Sequence, residues 1–324
     1  MDIEVTTVLE EIQELGYVEI RDGLVTCEVP PKDNLCYSRW DRWTPTLKYL
    51  KDYAAHHEDF GGNFFLCLYD GWREYTEPAI GEERHYVSWN DVQKYKYLGK
   101  GNAGEPRFRH LEDNFAVYPE LPCKVLTYNR HVDDRNALLI PDSEFIHRNC
   151  FSSFTDQVKA HDIPWHQKKN NIIWRGSPNV NEGYLWNNHG QGKMHPRHVA
   201  VQLSRSPVLS PYLDASFDHA PISWQLQNKY ILDIDGMVNA WSALYWKLSS
   251  NSVVLKTKSH WEQWYYPNLQ PYKSYIPVDS LYDLPRIFKW CQYNDDKCMQ
   301  IAKNASEFVA TLTYEYAVKE YKIH

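Results

Sequence analysis

The carboxylate of Asp70 closes an apolar run, Phe64 to Tyr69, and is followed by Gly71. At the end of a buried strand such a group can take the proton from a hydroxyl within hydrogen-bond reach; an aspartate there is equally a good turn former. Arg175 follows Ile172-Ile173-Trp174 and precedes Gly176-Ser177. A planar guanidinium fork beside a serine suits phosphate oxygens, and Gly176 lets a phosphate approach the backbone. A structural arginine fits the same residues. Asp235-Gly236 turns the chain toward Trp241-Ser242, where helix-opening N–H groups would attract an anion or simply form a strand–helix junction. Lys256 and Lys258 follow Val253-Val254-Leu255, and strand alternation puts both on one side, toward a cleft or toward solvent. Trp261, Glu262, Trp264 and Tyr265 form an aromatic, acidic patch. Its rings can stack on a base or sugar while Glu262 accepts from sugar hydroxyls; a loop packed on the core by its rings is the alternative.

These residues need elements to hold them. The pattern predicts a helix over 2–16 and a hairpin over 17–27 turning at Asp22-Gly23, then a helix over 39–57. Strands follow at 64–69, 124–128 and 137–145, with a loop-rich stretch through 122. The polar segment 158–171 reads as a connector and candidate domain boundary. Beyond it NIIWRGS, KYILDIDG, SVVLK and SYIPV read as strands, HPRHVAVQLSRS and WSALYWKLSS as helices, and a helical tail begins near Leu281. Strands alternating with helices imply an α/β sheet, whose ligands sit at the carboxyl ends of the strands.

Composition narrows the class. At 324 residues, two domains of ordinary size are expected. With 43% hydrophobic residues a proper core can form. A net charge of −7 offers no general basic surface, so nucleic acid is not an expected partner. The 13 Trp and 24 Tyr are either sugar- and base-site walls or an aromatic-rich core. Seven widely spaced cysteines without a CxxC are no disulfide framework. The acidic start is no secretory leader and no apolar run reaches membrane-spanning length, so the cytoplasm is the expected location. No GxGxxG, GxxxxGK[ST] or HExxH occurs, which removes the dinucleotide fingerprint, the Walker loop and the zincin motif. His195 and His198 are spaced as on one helix face, without a third ligand, so no metal is assigned.

In order and spacing, Trp174-Arg175-Gly176-Ser177, the run Lys229 to Gly236, Trp241-Ser242, Ser252 to Lys256, Trp264 to Tyr272 and Tyr275 to Val278 resemble the CAP10-like, KDEL-motif-related glycosyltransferases. That family includes protein O-glucosyltransferases and capsule xylosyltransferases. The run Leu66 to Gly71 resembles, less closely, the family segment ending in the catalytic aspartate. The resemblance implies an α/β fold of two Rossmann-like domains facing a cleft, the GT-B type. It implies an N-terminal acceptor-side domain over 1–160 and a C-terminal nucleotide-sugar domain over 161–324, the terminal helix free to pack back on the first. The implied reaction is a metal-independent, inverting transfer of a hexose or pentose from a UDP-sugar to a glycan or protein hydroxyl. No cofactor beyond the donor is implied. Asp70 would be the base. Arg175, Gly176, Ser177, Asp235, Gly236, Ser242 and Lys256 would hold the donor phosphates, and Lys258, Trp261, Glu262, Trp264 and Tyr265 would line the nucleotide or sugar. One departure stands out: family members carry an arginine where this chain has Leu244. Either Arg175, Lys256 or Lys258 supplies that charge, or donor binding is altered or lost, leaving a non-catalytic sugar- or nucleotide-binding protein. A cytosolic member making viral or microbial glycans fits the implied picture.

Overall fold

The computed structural model describes residues 15–28, 42–68, 71–74, 115–118, 122–132, 134, 136–178, 196–236, 238–239 and 242–323. Its strands and helices are β1 Gly16–Arg21, β2 Leu24–Glu28, α1 Trp43–Ala54, β3 Gly62–Leu66, β4 Gly71–Glu74, β5 Phe115–Tyr118, β6 Val125–Thr127, β7 Asn129–His131, β8 Ala137–Leu139, α2 Ser143–His147, α3 Ser152–His161 and β9 Lys169–Arg175. They continue with α4 Pro196–Leu203, β10 Leu213–Ser216, α5 Ile222–Gln225, β11 Asn228–Asp233, α6 Ala243–Leu248, β12 Val253–Thr257, β13 Trp261–Gln263, β14 Ile276–Val278, α7 Leu284–Tyr293, α8 Asp295–Thr311 and α9 Tyr314–Lys319.

The hairpin forms as its turn residues dictate. Asp22 and Gly23 both adopt positive φ, 50° and 74°, the twist a two-residue hairpin turn requires. Arg21 and Leu24 are paired across it. β1 joins a mixed sheet of order β2-β1-β3-β6-β8, whose last three strands run parallel. Residues 2–14 of the predicted helix over 2–16 lie outside the described residues, and Gly16 opens β1 instead of ending a helix. The third strand is shorter than the apolar run 137–145 suggested. It stops at Leu139, and the Asp142 carboxylate accepts from the Glu144 amide at 2.7 Å to cap α2.

A second five-stranded sheet has the order β10-β9-β11-β12-β14, parallel throughout. Its central strands are apolar on both faces, as buried parallel strands must be. Ile172, Trp174, Tyr230, Leu232, Val253 and Leu255 pack with α4, α7 and α8 on one face. Ile173 and Ile231 meet Val158 of α3 and Trp246 of α6 on the other. Each such Ile or Leu contributes about 1.5–3 kcal/mol over its exposed state. The chain is thus a mixed α/β protein.

The two sheets are joined at several places. The segment 158–171, expected as a polar connector, is the end of α3, a 3-10 turn and the start of β9. It is anchored: the fully buried Lys168 ammonium binds the Asp162 carboxylate and the Leu226 carbonyl. A third sheet, β13-β7-β4-β5, pairs β13 with β7 across the middle of the chain. The last helices return to the start of the fold. Tyr49 donates to the Ala317 carbonyl at 3.1 Å, and Tyr321 to the Leu139 carbonyl at 2.9 Å. The core of the first sheet therefore continues past residue 160 into Leu244, Tyr245, Trp264 and Val309.

Candidate functional site

The order of the parallel sheet reverses between β9 and β11. From β9 the chain goes to β10 on one side, and from β11 to β12 and β14 on the other. The carboxyl ends of two such strands open a crevice, the usual ligand position in doubly wound sheets. Here those ends are Arg175 and Asp233.

The two ends are clamped by a residue the sequence reading passed over. Arg197, on the first turn of α4, donates from Nη1 to the Ser177 carbonyl at 2.9 Å and from Nε to the Asp235 carbonyl at 2.9 Å. Nη2 reaches the Ile234 carbonyl at 3.3 Å, and the guanidinium lies over the Trp174 ring. A side chain on Gly236 would stand 3.0 Å from Nη2, so glycine is what admits this close approach. Burial lowers the affinity of Arg197 for its proton, and the Asp235 and Asp233 carboxylates offset that.

Arg175 is engaged elsewhere than expected. Its Nη2 binds both carboxylate oxygens of Asp214 on the neighbouring β10, at 2.8 and 3.0 Å, and its guanidinium stacks on Trp224. A phosphate would have to compete with this pair. Gly176 answers to packing: a Cβ there would stand 2.6 Å from the Trp174 ring. Ser177 is exposed beside it and lends its carbonyl to Arg197.

At the end of β11 the charges are arranged in pairs. The Asp233 carboxylate takes a 2.7 Å hydrogen bond from Lys247, both nearly fully buried. Burial alone would push Asp233 up, but Lys247, Lys256 and Arg197 together hold it below the usual carboxylate range. Asp235 moves the other way. Burial raises it, Lys256 pulls it back, and the neighbouring Asp233 charge raises it again. Its carboxylate accepts from the Ser259 hydroxyl, which accepts in turn from Asn239 Nδ2 at 2.9 Å. Asn239 also accepts from Asn129 of β7, so this network reaches the other half of the molecule. Lys256 is the register partner of Asp233 and is 6% exposed. Its ammonium makes no hydrogen bond among the described residues and lies 5.0 Å from the centre of the Tyr266 ring. Lys258, two residues on, is exposed.

The aromatic patch divides. Trp264 and Tyr265, expected to line a ligand, are each 2% exposed and packed in the core against Phe145, Tyr245 and Tyr321. Their rings are enclosed by other rings of the core. Trp261 and Glu262 lie on β13 and are half-buried. Glu262 accepts from Arg130 Nε and Nη2 at 3.3 Å, an ion pair across the β13–β7 ladder. Ser242 is 8% exposed at the start of α6, makes no side-chain cap, and opens a helix of only six residues. So short a helix concentrates little charge at its end. Leu244 is 2% exposed in the core. Asp70, Trp241 and His195 lie outside the described residues. A separate cavity of about 520 Å³ opens between α3, α6, α8 and α9 and shares no residue with the strand-end cluster.

The profile of glycosyl transferase family 90 matches residues 149–324, just over half of the chain. This chain belongs to glycosyl transferase family 90. The matched region holds the whole parallel sheet and all the strand-end residues; Asp70 precedes it. Among known proteins, the family 90 chain is 35% identical over 105 residues to uncharacterized protein 179R of invertebrate iridescent virus 6, covering 30% of this chain and 9% of the viral protein. It is 25% identical over 208 residues to the O-glucosyltransferase LpsA of Dichelobacter nodosus, 64% of this chain and 61% of that one. It is 38% identical over 76 residues to rat protein O-glucosyltransferase 3, 23% of this chain and 15% of that one. The chain thus spans from about a tenth to three fifths of the length of these relatives. No helix among the described residues is long and apolar enough to cross a membrane.

Sequence reasoning found the strands of this site and missed its clamp. Arg197 sits in HPRHVAVQLSRS, whose periodicity marks only a helix, and its partners lie 20 and 38 residues away. Asp233, Lys247, Asn239 and Ser259 were likewise hidden. Only the alternation of Asp233 and Asp235 at a strand end carried a local signal.

Proposed function

We propose that this family 90 chain transfers a sugar from a UDP-sugar to a hydroxyl of a glycan or protein acceptor, with inversion and without a metal. The observation that carries the reading is the cluster of charged side chains at the β9/β11 order switch, where doubly wound sheets place their ligands, inside the family match. The printed activity of LpsA and of protein O-glucosyltransferase 3 supports it.

In this reading the parallel sheet is the donor half, residues 161–324, and residues 1–160 face it across a cleft of the GT-B kind. Gly176, Ser177 and Gly236 bring backbone to the donor diphosphate, with Arg197 fixing the two strand ends that carry them. Arg175, bound to Asp214, acts as a strut for the end of β9. Trp261 and Glu262, half-buried on β13, face the nucleotide or sugar.

Asp70 takes the proton of the acceptor hydroxyl as that oxygen bonds to the anomeric carbon. The bond from that carbon to the diphosphate oxygen breaks, and UDP leaves from the opposite face. Preorganised cations and amides meet the developing charge, the term on which a metal-free transfer most depends.

The test is UDP release by the purified chain against UDP-glucose, UDP-xylose and other UDP-sugars, with acceptors and with EDTA. Transfer in EDTA with an inverted product is expected. An Asp70→Asn variant should bind donor and lose at least 100-fold in kcat. Donor binding with no transfer to any acceptor would favour the second reading, a binding protein on this scaffold, for which the neutral, core-packed Leu244 speaks.

A further inference from the structure

We propose that the cavity between α3, α6, α8 and α9 is a second ligand site, and that it takes a neutral saccharide unit. The inference does not rest on the transfer reading above, because the cavity shares no residue with the strand-end cluster.

The site is walled by the two passages of the chain between its halves. Cys150 and Ser152 lie where the chain leaves α2 for α3, and Leu312 and Thr313 where it leaves α8 for α9. Along α3, Ser152, Thr155 and Lys159 recur at the spacing of one helix face and share a wall. Ser306, Val309 and Ala310 do the same on α8. The volume, about 520 Å³, falls in the range of small-molecule pockets, about 300–1,000 Å³.

The hydrogen-bonding complement selects the ligand. A hydroxyl carries one proton and two lone pairs. Thr155 spends its proton on the Ser152 carbonyl at 3.0 Å, Ser249 on the Trp246 carbonyl at 2.8 Å and Ser306 on the Lys303 carbonyl at 2.9 Å. Tyr245 gives its own to the Leu312 carbonyl at 3.3 Å. These four lining groups therefore offer lone pairs only. A ligand that meets them must bring O–H or N–H protons, which an acceptor-only anion such as phosphate lacks.

Charge narrows the class further. Lys159 and Glu315 are the charged residues of the lining, and they offset each other. Their side chains are 78% and 72% exposed, so both belong to the rim. Glu315 is bound by Lys319 at 2.7 Å, which leaves a polyamine no unpaired carboxylate in the lining. Val309, Ala310 and Leu312 supply an apolar wall. Several O–H donors, no net charge and an apolar C–H face coexist in a sugar ring.

The experiment follows Cys150, a half-buried thiol of the lining, against the exposed Cys27. Burial raises the Cys150 thiol, so alkylation with N-ethylmaleimide is run at mildly alkaline pH. The full chain is treated in the presence of glucose, xylose, N-acetylglucosamine, maltose, cellobiose, inorganic phosphate or spermidine, and the rate at each thiol is read by mass spectrometry. At least one sugar is expected to slow Cys150 several-fold and saturably, with Cys27 unchanged. Phosphate and spermidine should slow neither. Ala310→Trp, at an exposed position in the last turn of α8, fills the cavity. It should abolish binding of that sugar, measured by ligand-observed NMR, and leave UDP affinity as in wild type.

No slowing of Cys150 by any of the sugars, slowing by phosphate or spermidine instead, or undiminished binding of the protecting sugar to Ala310→Trp overturns the proposal. A sugar that protects Cys150 in a chain that binds no UDP leaves this site standing and removes the transfer reading. UDP binding without sugar protection does the reverse. Should Ala310→Trp fail to fold, the wild-type thiol rates decide alone.

Discussion

Arg197 and Asp235 are joined by a 2.9 Å hydrogen bond from guanidinium Nε to a main-chain carbonyl, and this bond ties helix α4 to the end of strand β11. The same side chain holds the end of β9 through Ser177. Replacing it with alanine leaves two part-buried carbonyls, those of Ile234 and Asp235, without this donor, while the exposed Ser177 carbonyl can turn to water. Arg197→Ala should lose about 1–3 kcal/mol of stability, measured by urea unfolding, because buried polar groups left without partners cost that much. Arg197→Lys cannot reproduce the fork and should recover less than half of the loss. A variant as stable as wild type would remove the clamp.

Lys247 of α6 and Asp233 of β11 form an ion pair in which both side chains are nearly fully buried. Lys247→Met leaves a buried carboxylate and should cost about 3–5 kcal/mol. Adding Asp233→Asn to it should return a large part of that loss. The coupling is read from a double-mutant cycle by chemical denaturation, and additive single losses would refute it.

The two carboxylates at the end of β11 titrate with opposite signs. Asp233 is held below its ordinary value of 3.8, so its contribution to stability is present above that pH and fades as pH falls through the lower folded value. Asp235 is raised, so its favourable contribution is full below 3.8 and is lost as pH rises through the higher folded value. Asp235→Asn should therefore gain stability relative to wild type as pH rises from below 3.8 to above it. Equal pH dependence in both proteins would contradict the shift.

Gly176 is fixed by its neighbour. With the Trp174 ring 2.6 Å from where a Cβ would stand, Gly176→Ala must displace a buried indole. A loss of about 1–3 kcal/mol is expected, visible as a lower Tm. An unchanged Tm would show that the ring yields freely.

Much of the parallel sheet is legible in the residues because β-branched and aromatic runs such as Ile172 to Trp174 and Val253 to Leu255 have no stable place but a buried strand. The Asp22-Gly23 turn is legible for the same local reason, since few pairs tolerate two positive φ angles. What was hidden is non-local. That Arg175 would be taken by Asp214, 39 residues away, depends on which strand lies beside β9. Trp264 and Tyr265 illustrate a second limit. A ring is the same ring whether it faces a sugar or Phe145, and only the return of the C-terminal helices encloses these two. The segment 158–171 looked like a linker because its polar residues are pinned by distant partners such as the Leu226 carbonyl.

The pairing of β13 with β7 has a consequence for how the molecule can open. A hinge needs one axis, yet this strand pair, the helix α9 docked on α1, and the covalent passage through α3 stitch the chain's halves at three separate points. Parting the two sheets would have to break at least one of these contacts. Nor can either half be lifted out as a portable module without tearing a strand or a helix from its seat.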